Sequence, residues 1–145
     1  MTTAGEPDYR ALLAFRTALR RFNRWSEAQA EAAGLTAAQH QLLLAVKGHD
    51  DSRGPTIGDV AEHLLLRHHS AVELVNRAQA AGLVERSKDA RDGRIVRLRL
   101  SEDGERALRA LAQLHVDEIR QLEPLLRHIV DHHPDDAGDT ALPLG

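Results

Sequence analysis

Between Arg67 and Arg99 the chain carries eight Lys or Arg against four acids, with His68 and His69 among them. The remainder is acidic, with seven basic residues against eight acids over residues 1–66 and four against ten over residues 100–145. A net charge of −3 over 145 residues therefore hides one basic stripe. Such a stripe can neutralise a polyanion, although an ordinary solvated surface would carry the same charges. The order of residues inside it says more. Val84, Arg86 and Lys88 alternate with Leu83, Glu85 and Ser87, and residues 95–100 read Ile-Val-Arg-Leu-Arg-Leu. These period-two runs flank Asp89-Ala90-Arg91-Asp92-Gly93-Arg94, a turn of charges with almost no apolar side chain. The pattern predicts a β-hairpin with a charged tip.

The residues just before the hairpin have helical spacing over about 68–81, ended by Gly82, with Ala71, Leu74, Val75 and Ala78 as the buried face. Arg67, His68, His69, Ser70, Val72, Asn76 and Arg77 fall mainly on the other sides. A DNA major groove accepts this mixture of donors, acceptors and an apolar contact for thymine methyls. Three basic residues at a helix start oppose the helix dipole, a placement easier to explain where phosphates compensate. The candidate DNA contacts are these seven residues with Lys88, Arg91, Asp92 and Arg94 of the hairpin.

The pattern Asp89-x-x-Asp92-x-Arg94, then Val96-x-Leu98-x-Leu100-Ser101-x-x-Gly104, resembles the wing of the multiple-antibiotic-resistance regulator (MarR) family. Ala81-Gly82-Leu83-Val84-Glu85-Arg86 resembles the same family's join between recognition helix and wing, and the likeness runs over residues 8–133. Gly93, Ala90 and Glu73 depart from common family choices. The resemblance implies a homodimeric winged helix-turn-helix regulator of transcription, with Arg94 entering a minor groove and Asp92 holding its guanidinium. It also implies a small aromatic or phenolic effector between dimer helices and winged domain, for which Trp25, His40, Leu44 and His115 are the candidates. Ordinary core packing is the competing reading for Trp25 and Leu44.

The flanking elements complete a mainly α fold. Tyr9, Leu12, Phe15, Leu19, Phe22 and Trp25 recur every three or four residues, predicting a helix over 8–33 that Gly34 ends. Thr36-Ala37-Ala38-Gln39 reads as a capping box for a helix to about Lys47; His49 to Pro55 reads as a loop. Thr56 and Asp59 make a weaker cap for a short helix to about Leu65. Ser101-Glu102-Asp103 opens a last long helix over 101–133, with Leu108, His115, Leu122 and Ile129 as a seven-residue seam joined by Ala112, Ile119 and Leu126. Pro124 should kink or split it. The lobe at about 36–100 would then be a winged helix-turn-helix flanked by long N- and C-terminal dimerisation helices, with an acidic tail at 134–145. Leu108, Ile119, Leu122 and Leu126 are expected between chains.

Other chemistries find less support. The chain has no cysteine, no phosphate-binding Gly-rich loop and no nucleophile elbow, so no enzyme and no cofactor are expected. His128 and His132 are one helical turn apart, with His133 adjacent, but lack further ligands, so no metal site is assigned. A His-based metal sensor and a non-specific architectural DNA-binding protein remain the alternatives to a sequence-specific, ligand-responsive repressor on a pseudo-palindromic operator. Apolar content of 42%, the absence of a run of ~18 apolar residues and the character of residues 1–6 predict a cytoplasmic protein with no membrane partner.

Overall fold

A computed structural model describes residues 5–132, so His133 and the expected acidic tail lie outside the described residues. The elements run α1 (Tyr9–Ala32), α2 (Ala37–Lys47), α3 (Ile57–Leu64), α4 (His68–Ala80), β1 (Val84–Lys88), β2 (Val96–Leu100), α5 (Glu102–Arg120) and α6 (Glu123–His132). β1 and β2 pair antiparallel, with Arg86 opposite Leu98 and Val84 opposite Leu100. Among the described residues the fold is mainly helical with one two-stranded hairpin, as the sequence predicts.

Short-range chemistry sets the helix ends. Thr36 Oγ1 accepts from the Gln39 amide at 3.1 Å while Gln39 Oε1 accepts from the Thr36 amide at 3.0 Å. Thr56 and Asp59 build the same reciprocal box, at 3.1 and 2.9 Å, so this cap is complete rather than weak. Helix α3 closes on Leu65, whose φ of 54° and ψ of 43° are left-handed. That conformation costs an L-residue with a side chain roughly 1–2 kcal/mol. After Gly82, the Ser101 hydroxyl donates to the Gly82 carbonyl and accepts from the Gly104 amide, fixing the start of α5. Pro124 has no amide hydrogen and its ring opposes the carbonyl four residues back, so the long helix splits. Gln121 and Leu122 make tight bonds to Glu118 and Ile119 before α6 begins.

The described residues divide into two compact units, one of residues 24–116 and one of residues 5–23 with 117–132. The first contains the core: Leu42, Leu43, Val60, Val75 and Leu98 are fully buried, and Ala30, Leu35, Leu83, Val84, Leu108 and Leu111 join them. This unit is wider than the lobe expected at 36–100, because the end of α1 and the start of α5 pack into the same core. Leu108 corrects an expectation: at 6% exposure it is buried within its own chain and is not available to an interface between chains. The second unit, taken alone, has no buried residue among those described. Tyr9, Leu12 and Leu13 of α1, Ile119 of α5, and Leu126 and Val130 of α6 are exposed there. Within it Asp8 Oδ2 lies 3.5 Å from His128 Nε2.

Candidate nucleic-acid interface

Helix α4 buries Ala71, Val75 and Ala78, which turns its polar side outward. Arg67 is its N-cap and makes no side-chain capping bond, and no acid stands in the first turn. First-turn amides are therefore left for an external acceptor, beside the exposed Arg67, His68 and His69. Ser70 and Val72 are half-buried, while Asn76 and Arg77 are exposed. Asn76 is also engaged: Arg86 of β1 donates from Nη2 to Asn76 Oδ1 at 2.7 Å and from Nη1 to Gln79 Oε1. That contact, which sequence reasoning missed, occupies one lone pair of Asn76 Oδ1, leaves its amide donors open and ties the helix to the hairpin.

The hairpin tip closes on itself. The Asp89 amide donates to the Ile95 carbonyl at 2.8 Å, and the Ile95 amide to the Asp92 carbonyl at 3.0 Å. Arg94 is 91% exposed, and its Nε and Nη2 reach the two Asp92 oxygens at 3.1 and 3.2 Å. Arg94 thereby holds the Asp92 carboxyl below the usual carboxylate range. Lys88 and Arg91 are exposed beside it. A guanidinium held by a carboxylate two residues away is pre-oriented without being buried, and can exchange water for phosphate or a groove at small ordering cost.

An ionic cluster that the sequence did not reveal braces this tip from below. Arg97 of β2 donates from Nη2 to Asp89 Oδ2 at 3.4 Å and from Nη1 to the Gly54 carbonyl at 3.2 Å. Arg53 lies 3.7 Å from the same Asp89 oxygen and pairs with Asp51 at 2.8 Å. Both carboxylates titrate below their ordinary range, Asp51 chiefly through Arg53's side chain and Asp89 chiefly through the Arg91 amide. Beside them the Leu98 amide donates to the Pro55 carbonyl at 2.8 Å. The loop after α2 thus lies along β2 and fixes the wing's base. Asp89 was visible in the turn pattern, but no local signal joins it to residues some forty positions earlier.

Order of elements, recognition-type helix and braced hairpin together are those of a winged helix-turn-helix. A model described as the MarR family matches residues 33–95. The winged helix of this chain is similar to those of the MarR family. AbsC, a MarR-family transcriptional regulator from Streptomyces coelicolor, superposes with a TM-score of 0.68 at 20% identity, over 92% of this chain and 90% of that one. MepR of S. aureus, in its complex with DNA, superposes with a TM-score of 0.65 at 22% identity, over 82% and 85%. The uncharacterized HTH-type transcriptional regulator YsmB of Bacillus subtilis (strain 168) is 33% identical over 67 residues. That match spans 46% of each chain, about half the length of this curated relative. The fold is a winged helix-turn-helix, and the proteins it is similar to are described as transcriptional regulators.

Of the four effector candidates that the MarR-family resemblance implies, the structure brings three together. The His115 ring lies 4.9 Å from Trp25 and 4.6 Å from His40 between ring centres. His115 Nδ1 faces the Leu111 carbonyl at 2.8 Å, so that nitrogen is the donor. In the neutral ring Nε2 then accepts from the Ser26 hydroxyl at 2.6 Å. Burial, and then the charge of His115, lower the pKa of His40. Leu44 is corrected: it is 58% exposed and lines a separate shallow hollow with Gln41, Ala45, Gly48, His63 and Leu64. Its helix turns it away from the core that holds His40. The rings of His128 and His132 lie 4.0 Å apart between centres and tilted by 32°, and His132 Nδ1 bonds the His128 carbonyl. Among the described residues no group of three His, Cys, Asp or Glu is arranged to hold a metal ion. No helix among them is long and apolar enough to cross a membrane.

Proposed function

We propose that this chain is a cytoplasmic, sequence-specific regulator of transcription that binds double-stranded DNA as a homodimer. One observation carries the reading: an uncapped, basic start of α4 and an exposed, carboxylate-held Arg94 belong to one compact unit, on adjoining elements. Helix α4 would enter a major groove through Arg67, His68, His69, Ser70, Val72, Asn76 and Arg77. The tip, with Lys88, Arg91, Asp92 and Arg94, would lie along the neighbouring minor groove, where a narrow A·T-rich stretch favours arginine. The relative MepR is known in complex with DNA, which supports the same partner here.

Dimerisation is supported by the second unit, whose exposed Tyr9, Leu12, Leu13, Ile119, Leu126 and Val130 have no core of their own. A twofold axis covers such a surface with its copy and sets two half-sites about one helical turn apart. A dimer seated on a promoter excludes other proteins from it, so the regulator is read as a repressor. Its effector is read as a small aromatic or phenolic anion acting at the Trp25–His40–His115 trio, which offers ring faces and a hydroxyl. Selection of duplexes from genomic fragments tests the proposal. A small set of pseudo-palindromic sites upstream of genes is expected, whereas an unbiased sample of the genome would mark a non-specific architectural protein.

A further inference from the structure

We propose that Leu65, in the turn before α4, is a specificity-determining residue that packs its methyl groups against a thymine methyl in the major groove. The inference rests on the DNA-binding reading and adds to it a residue and a base. The turn itself demands positive φ: the Leu65 amide reaches back to the carbonyls of Ala61 and Glu62, and the Leu66 amide to Ala61 at 2.9 Å. Glycine takes that conformation without strain, yet leucine stands here, and among described residues it is the one non-glycine with positive φ. The bonds of the turn hold the backbone, but the side chain offsets none of the strain by packing, because Leu65 is 91% exposed, more than any other large apolar residue described. Left-handed residues other than glycine cluster at ligand clamps and other functional sites, and an unpacked side chain there is free to meet an external partner.

Position and chemistry identify that contact. Leu65 lies three residues before His68, where α4 begins, beside the basic start already assigned to the duplex. Its side chain has no polar atom and cannot satisfy a phosphate. The apolar feature a major groove presents at its base edges is the C5 methyl of thymine. Neighbouring Arg67 and His68 would hold phosphates while Leu65 distinguishes a T·A pair from C·G.

The experiment compares wild type with Leu65→Gly and Leu65→Ala on the duplex selected by wild type, and on the same duplex with deoxyuridine replacing thymidine. Leu65→Gly should raise the thermal midpoint by roughly 3–6 °C as the strain is relieved, and Leu65→Ala should not. Both should bind the thymidine duplex about tenfold more weakly. Burying one methyl is worth about fourfold in affinity, so two half-sites should give wild type about a fifteenfold preference for thymidine. That preference should shrink at least threefold in both variants. Variants that bind like wild type, or keep its full thymidine preference, overturn the assignment while leaving DNA binding intact. Loss of dimerisation in both variants would instead make Leu65 an interface residue and also overturn it. A wild-type protein that binds no duplex refutes the reading beneath it.

Discussion

Arg94→Ala should separate DNA recognition from folding. The side chain is 91% exposed and its guanidinium contacts are to Asp92. The turn does not need them: Asp92 Oδ1 also accepts from the Arg94 backbone amide at 3.0 Å, a bond that alanine keeps. The Asp92 and Asp89 backbone bonds to Ile95 are likewise untouched. No apolar surface leaves the core, so the unfolding midpoint should not move. Binding should respond differently. A base-contacting or groove-inserted arginine is worth ~1–3 kcal/mol, or roughly 5- to 150-fold in Kd. Loss of one phosphate-level contact should also reduce the slope of log K against log salt by about one unit. Fluorescence anisotropy on the selected duplex, at four or five salt concentrations, reads both numbers from one series. Asp92→Asn, which keeps the arginine but frees its guanidinium, should give a smaller loss and leave the salt slope intact. Wild-type affinity and slope in Arg94→Ala would refute the minor-groove role, and a lowered midpoint would refute the independence of tip and fold.

Three further outcomes follow from named contacts. A Cβ on Gly104 would sit 2.2 Å from the Leu83 carbonyl oxygen, so Gly104→Ala should destabilise the core unit by roughly 2–3 kcal/mol in a denaturant titration. Ile119 and Leu126 are 51% and 48% exposed in the single chain, so Ile119→Asp and Leu126→Asp should dissociate the proposed dimer without unfolding residues 24–116. Sedimentation that still gives a dimer for both would remove that interface. His40 supplies a pH dependence: burial first, and His115 second, hold its pKa below 6.5, so the folded chain binds fewer protons than the unfolded one. Its contribution to stability is complete above that value and is lost as pH falls from 6.5 towards the folded pKa. Thermal midpoints between pH 7.5 and 5 should therefore fall less steeply in His40→Gln; an unchanged slope would rule His40 out as the cause.

Local grammar carried most of the fold. The hairpin was legible because Val84–Lys88 and Val96–Leu100 alternate around a polar turn, and the two helix starts because Thr-x-x-Gln and Thr-x-x-Asp act within one helical turn, although the second read only as a weaker cap. Pro124 announced the split between α5 and α6 by its missing amide. Contacts between distant residues were not legible. Arg97 reads in sequence as one more outward arginine of a strand, yet its side chain is 11% exposed among Asp89, Asp51 and the Gly54 carbonyl. Leu108 and Leu126 share a heptad seam, and only packing distinguishes the one buried in its own core from the one left exposed. Leu44 and His40 likewise lie four residues apart on α2 with opposite burial. Backbone strain was also invisible, since nothing in the Leu-Leu-Leu run at 64–66 marks the middle residue as left-handed.

If the braced wing and the basic start of α4 read a particular duplex rather than any polyanion, the choice must survive competition. The direct measurement is competition: the selected genomic duplex, bound at physiological salt, is challenged with a scrambled duplex of equal length and base composition. The scrambled competitor is expected to be needed at ~10³-fold or higher excess to displace half of the protein. Displacement at equal concentration would contradict it.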